Sequence, residues 1–241
     1  MVTVGALDTV NVSASWVTLA ETPEWIAERT DELLGRLSAR FGVVGWEMLL
    51  PTRKIGDPHD VAGRRIPWSG DLASLVQRSP VTAFFDTAAA DEGYSFSLHG
   101  RTSYGGYVTV AVDAGAHFVG RRIPRHRLSL EIAPQEGDRV DQSVGGVSIE
   151  AIAESFDPQL VERIVTTINK LARRTGWQIR PSYLLWLRGD VLSDAVLPVG
   201  MSAERVGAGW LYSVPDEWSA ERVIAVHEEF RAVNGIEVLP H

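Results

Sequence analysis

The chain has no cysteine among its 241 residues. Disulfides, thiolate metal sites and cysteine nucleophiles are thereby excluded. Lysine is nearly absent too. Lys54 and Lys170 are the only two, so arginine supplies the remaining 21 of the 23 basic residues. Long hydrophobic runs are missing: Glu47 interrupts one apolar stretch and Asp113 another. None approaches the roughly 18 apolar residues that a membrane span needs. The start, Met1 to Val10, lacks a basic segment and carries Asp8, so it does not read as a secretory signal. These absences predict a cytoplasmic chain with no membrane association. Positive charge is short as well: 31 acids stand against 23 bases, a net of −8. A general nucleic-acid binder needs a basic face, so direct nucleic-acid binding is disfavoured, whereas a basic protein partner suits an acidic chain. What is present is an ordinary globular composition, 45% apolar and 22% charged, with 22 Gly and 12 Pro. That length and composition bury a real core, and no linker divides it. A single domain over residues 1–241 is expected.

Periodicity gives the first elements. Val10, Val12, Ala14 and Trp16 alternate and predict a strand over 10–17. Thr22-Pro23-Glu24 opens a helix, with Thr as N-cap and Pro in the first turn. Trp25, Ile26, Arg29, Leu33, Leu34, Leu37 and Phe41 form its stripe, and Gly42 is its C-cap. Val43 to Leu50 reads as a strand, residues 51–70 as a loop, and Asp71 to Arg78 as a short helix. Tyr94 to Leu98, Tyr107 to Val112 and Arg125 to Ile132 alternate as strands. The Gly-rich segment 100–106 joins the first two as a hairpin connection. Val144 to Ala151 reads as a further strand. Asp157-Pro158 reads as the start of a helix with the stripe Leu160, Ile164, Ile168 and Leu171, ending near Gly176. Strands follow over 177–187 and 207–214. A last helix begins near Asp216-Glu217-Trp218-Ser219 and ends at Asn234-Gly235. The pattern is α+β: a mainly antiparallel sheet packed with about three longer helices. Turns with Pro lead to Gly-terminated helices three times, at 23–42, 158–176 and 215–235, which good capping explains without a repeat.

Chemical motifs are sparse. Asp57-Pro58-His59-Asp60 puts two carboxylates and an imidazole in four residues, but an Asp-Pro turn accounts for it, and no second cluster has ligand spacing. His227-Glu228-Glu229 lacks the second histidine of a zincin, since position 231 is Arg231. The 100–106 segment has neither a phosphate loop's Lys-Ser/Thr nor the spacing of a nucleophile elbow or dinucleotide turn. No catalytic residue, cofactor or metal is therefore predicted. His117 and His126 flank Arg121-Arg122-Ile123-Pro124-Arg125. That segment is the one candidate ligand site, His117, Arg121, Arg122, Arg125 and His126 clamping a phosphate or carboxylate. Arginines paired with the acids of 131–141 are the plainer explanation.

Acids cluster elsewhere. From Glu131 to Glu162 there are eight acids and one base, and from Glu204 to Glu237 seven acids and three arginines. A solvated surface is the usual account, and a negative docking face the sharper one. Eight tryptophans is high. Trp16, Trp46, Trp177 and Trp210 fall in strand-like segments and are expected in the core. Trp218, beside Asp216-Glu217, is either an interface anchor or a packing anchor.

Ser15-Trp16, the helix Glu24-Trp25-Ile26-Ala27-Glu28-Arg29, Phe41-Gly42-Val43-Val44-Gly45-Trp46, Gly176-Trp177 and Gly209-Trp210-Leu211-Tyr212 with the closing helix carry a resemblance. In these the chain resembles the immunity protein 52 family of bacterial polymorphic toxin systems, at its ends more than in its middle. The resemblance implies a cytosolic α+β protein that is not an enzyme. It would bind and neutralise a cognate toxin, a nuclease with a restriction-endonuclease-like domain, by occluding its active or nucleic-acid-binding surface. Asp216, Glu217, Trp218, Glu136, Asp138 and Asp141 are the interface residues expected on charge and aromatic grounds. The alternative is an enzyme acting on a phosphorylated or carboxylated small molecule through the Arg121–His126 segment.

Overall fold

The computed structural model describes residues 9–50, 64–67, 70–81, 92–103, 105–135, 140 and 143–241. Its strands are β1 (Val10–Trp16), β2 (Val43–Leu50), β3 (Arg64–Pro67), β4 (Tyr94–Thr102), β5 (Tyr107–Ala114), β6 (His126–Ala133), β7 (Leu160–Ile164), β8 (Leu184–Arg188), β9 (Ser202–Val206) and β10 (Gly209–Ser213). Its helices are α1 (Pro23–Phe41), α2 (Leu72–Gln77), α3 (Ser143–Phe156), α4 (Thr166–Ala172) and α5 (Ala220–Asn234). The strands form one ten-stranded sheet in the order β3-β2-β4-β5-β6-β1-β7-β8-β10-β9. Every pairing is antiparallel. The fold is α+β, as the alternation predicts.

Two hydrophobic layers cover this sheet on opposite faces. The first packs Val12, Val110 and Leu130 of the sheet under Leu33, Leu37 and Ile152 of α1 and α3. The second packs Leu160, Leu185 and Tyr212 against Ile168 of α4 and Val223 and Phe230 of α5. Alternation explains the change of face. Leu160 and Val161 are neighbours in β7, so one joins each layer.

Local chemistry sets the long helices at both ends of the chain. Thr22 Oγ1 accepts from the Trp25 N–H at 3.3 Å, and Gly42 takes the left-handed conformation at φ 60°. Ser219 caps α5 and Gly235 closes it at φ 67°. Ion pairs join α1 to α3: Arg36 reaches Glu154, and Arg40 lies 3.5 Å from Glu150.

Several expectations are corrected. Residues 64–67 are strand β3 rather than loop, paired with β2. Strand β4 runs on to Thr102, so only the end of the 100–106 segment turns. Residues 144–151 belong to helix α3, not to a strand. The helix is wedged between α1 and the sheet and buries Gly145, Ile149, Ile152 and Phe156 among others. Burial on several sides removes the one-sided apolar stripe that identifies a helix in a sequence.

The helix read from Asp157-Pro158 is right only in its second half: Leu160–Ile164 is strand β7, and Thr166–Ala172, with Ile168 and Leu171, is helix α4. Asp157 has φ 44°, and its N–H bonds the Ala153 carbonyl at 3.2 Å. It closes α3, and Pro158 follows a helix end rather than opening a new helix. Leu160 and Ile164 lie four apart, which satisfies a helix stripe and one face of a strand equally. Pairing with β1 and β8 on either side decides for strand. The middle member of the three Pro-to-Gly helices is therefore lost. Strand β8 is confined to Leu184–Arg188, so Trp177 is buried outside any strand. Strand β9 is missed by periodicity because it is an exposed edge with no alternation, brought back by the tight turn at Gly207.

Gly100 is required by a close approach. A Cβ there would lie 2.5 Å from Val43 Cγ1 and 2.9 Å from Trp46 Cε3. Gly35 on α1 has open space around it. Gly100→Ala should destabilise the fold by about 1–3 kcal/mol. Gly35→Ala should stabilise it by about 0.5–1 kcal/mol. Urea denaturation of the two variants checks both signs.

Candidate functional site

Part of one sheet face belongs to neither layer among the described residues. Opposite the first layer, the outward residues of β4, β5, β6 and β1 are mostly polar, and those of the central row are short. Register aligns them in rows across the strands. Ser97, Ala111, Ser129, Ser13 and Glu162 pair in turn from β4 to β7. On one side of this row lie His99, Thr109, Glu131 and Asn11, and on the other Ser95, Asp113, Arg127 and Ser15. Small side chains flanked by longer ones make a shallow trough across the strands. Its floor at Ser129 is exposed, and Thr166 at the start of α4 stands at its edge.

The trough deepens at β7, where the second layer begins. A cavity of about 440 Å³ lies over Asn11, Ser13, Thr109, Ala111 and Ser129. It adjoins one of about 300 Å³, which shares Ser13, Ser129 and Ile164 and adds Pro124, Glu162 and Arg180. The segment before β6 forms the rim. Trp177 Nε1–H donates to the Gly120 carbonyl at 3.2 Å and ties that rim to the second layer.

Glu162 sits at the deep end with its side chain 2% exposed. Arg180 Nε–H donates to its Oε1 at 2.6 Å, and Arg180 Nη2 reaches the same oxygen. Oε2 has no hydrogen-bond partner. Burial pushes the Glu162 carboxyl above the usual range, and Arg180 opposes that shift. Arg127, on the rim, is held by Asp113 at 2.6 Å. The arrangement has hydroxyls, two paired arginines and one buried carboxylate oxygen free to accept. Among the described residues no group of His, Asp and Glu is arranged to hold a metal.

The sequence-predicted sites fare differently. Glu136, Asp138 and Asp141 lie outside the described residues, as do Asp57 to Asp60. Asp216 is paired with the buried Arg163 at 3.1 Å. Glu217 is exposed. Trp218 is buried rather than presented to solvent: Arg222 lies 3.7 Å above its ring, and its carbonyl accepts from Tyr183 Oη–H at 2.7 Å. It is a packing anchor. The Arg121–His126 segment does not converge. His117, Arg121 and Arg122 are exposed, and Arg125 engages Glu92 and the Phe118 ring. His126 points the other way, into the core. Its Nε2–H donates to the Ala116 carbonyl at 3.1 Å, 3.8 Å from Glu21. Other acids of the 131–162 run also pair internally, Glu150 and Glu154 with α1 and Asp157 with Arg188.

Ser13, Ser129, Glu162 and Arg180 were not singled out by sequence reasoning. A signal was present for two of them: the polar faces of β1 and β6 carry serines where long charged side chains are usual. Glu162 was hidden by the mistaken helix.

No known protein family matches the chain, and no curated protein is similar to it. Among solved structures, a T6SS protein of Pseudomonas aeruginosa is similar at 12% identity and a TM-score of 0.49, covering 100% of this chain and 78% of that one. That likeness is too distant to bear on function. No helix among the described residues is long and apolar enough to cross a membrane.

Two buried histidines give the fold a pH dependence. Burial pushes His227 down to about 4, and its Nε2 accepts from the Ser182 N–H at 3.5 Å. His126 is lowered by burial too, opposed by Glu21. A histidine depressed in the folded state adds stability above its unfolded pKa, and that stability is lost as pH falls toward the folded value. Going from about pH 6.5 to about pH 4, His227 alone should remove about 3 kcal/mol. Urea midpoints over that range should fall, and His227→Gln, neutral throughout, should flatten the decline.

Proposed function

We propose that this chain is an immunity protein that binds and neutralises a cognate bacterial toxin, docking it on the bare face of the sheet. The observation that carries this reading is the trough itself: a serine-lined strip of the sheet outside both hydrophobic layers, exposed at Ser129. A strand face that pairs with nothing ordinarily carries long charged side chains. A floor of small hydroxyls lets a second protein approach closely and bond to it. The resemblance to the immunity protein 52 family supports the same reading. Through it the toxin is a nuclease with a restriction-endonuclease-like domain, and the chain works in the cytoplasm by occlusion, not catalysis.

The acidic balance fits this partner. A nuclease presents basic groups where phosphates bind, and a net charge of −8 favours encounter with such a surface. Replacing the Asp216–Trp218 segment as the centre of the face, the trough places Glu131 and Asn11 beside its serine floor.

The test is to co-express the chain with the C-terminal domain encoded by the adjacent upstream gene. A toxic domain, rescued in a one-to-one complex, is the expected result. Ser129→Arg, at an exposed position on the floor, should abolish rescue while leaving the circular dichroism spectrum unchanged. Full rescue by Ser129→Arg would place the interface elsewhere. A domain without toxicity or complex formation would overturn the reading.

A further inference from the structure

We infer that the cavity at the deep end of the trough binds an oxyanion, the phosphate or carboxylate group of a small molecule, held by Arg127 and Arg180 over the serines of β1. This goes beyond the docking reading and does not depend on it.

The lining is rich in donors. Two arginines, Arg127 and Arg180, stand there against one carboxylate, Glu162. Neither arginine is sealed: the Arg127 side chain is half exposed and that of Arg180 30% exposed. Each is held by its Nε end. Arg127 Nε–H donates to Asp113 at 2.6 Å, and Arg180 Nε–H donates to Glu162 Oε1 at 2.6 Å. Glu162 also takes Nη2 of Arg180, but Arg180 Nη1 and both Nη atoms of Arg127 bond to nothing among the described residues. The two carboxylates thus orient the guanidinium planes and leave terminal N–H groups unspent, and such forks match an oxyanion.

Register sets neutral donors between the arginines. Ser15 on β1 pairs with Arg127 on β6, and Ser13 on β1 pairs with Glu162 on β7. Strands lie about 4.8 Å apart, so the β1 serines stand midway between the strand of Arg127 and the strand whose Glu162 holds Arg180. Gln178 adds an amide. Its Oε1 accepts from the Thr175 N–H at 3.0 Å, which leaves its NH2 to donate.

The rim is positive as well. Arg121 and Arg122 precede Ile123, and Arg173 precedes Gly176, whose backbone closely approaches the Arg122 carbonyl. These three arginines have no ion-pair partner among the described residues, in a chain of net charge −8 where Arg36, Arg40 and Arg188 each find one. Unpaired cations beside a concave site draw anions toward it. The cavity of about 300 Å³ holds the group, and the adjoining one of about 440 Å³ leaves room for the body that carries it. Asn11, Thr109 and Thr166 line that second space and suit a hydroxylated body.

The experiment is an NMR titration of the full chain, at constant ionic strength, with inorganic phosphate, acetate and n-butylammonium. Saturable shifts at Ser13, Ser15 and Gln178 and at the Nε–H signals of Arg127 and Arg180 are expected with phosphate, acetate or both. The anion that saturates at the lower concentration identifies the group. Arg127→Gln should weaken that binding by roughly tenfold. Arg101→Gln, at an exposed arginine of β4 outside the cavity, should leave it unchanged. No saturation with either anion would overturn the assignment. Equal loss in the two variants would reduce the shifts to diffuse charge and overturn it too, as would saturation by n-butylammonium at the same residues. The toxin co-expression test fails separately. A chain that binds an anion but rescues nothing keeps this site and loses the docking reading, and a chain that rescues but binds no anion does the reverse.

Discussion

Strand β1 holds the molecule together. It is the first strand in sequence yet lies between β6 and β7, hydrogen-bonded on both sides. The strands from β2 to β6 meet the strands from β7 to β10 only through it. Its end is clamped by one buried carboxylate. Trp16 Nε1–H donates to Glu21 Oε1 at 2.7 Å, and the Gly115 N–H donates to Glu21 Oε2 at 3.0 Å. A single side chain thus ties β1 to the end of β5, with His126 packed against it. Both carboxylate oxygens are satisfied, which is what makes burial of that charge tolerable.

The same strand explains why part of the sheet presents a polar face. A long sheet needs apolar cover wherever its side chains are apolar. Here the cover changes face across β7. Residues Val10, Val12, Ala14 and Trp16 of β1 belong to the first layer. Its other face, Asn11, Ser13 and Ser15, belongs to neither hydrophobic layer and is made of small polar side chains. Where the second layer starts, its edge forms a step, and the step is the cavity that Glu162 lines. The trough is therefore a consequence of the layer arrangement, and its chemistry is set by which residues alternate outward.

Glu162 and Glu21 make an instructive pair. Both are buried carboxylates near the centre of the sheet. Glu21 has donors on both oxygens and serves the fold, whereas Glu162 has donors on one oxygen and faces a cavity. The two acids differ in that second oxygen, not in residue type.

Much of the architecture was legible along the chain because the signals were local. Thr22 and Gly42 bound α1, Ser219 and Gly235 bound α5, and alternation marked β1, β4, β5 and β6. The α+β class followed from those elements. The sequence by itself also determined the absence of thiol chemistry and the acidic balance. It could not choose between strand and helix at Leu160 to Ile164, since a spacing of four fits both, nor reveal α3, whose apolar residues face several neighbours at once. Trp218 read equally as anchor of a surface or of a core. Only tertiary structure decided these, because each depends on what packs beside the residue: β1 and β8 beside β7, α1 beside α3, Gly200 and Arg222 beside Trp218. The candidate site was decided the same way. Ser13, Ser129 and Glu162 are far apart in the chain and meet only because an N-terminal strand enters the middle of the sheet.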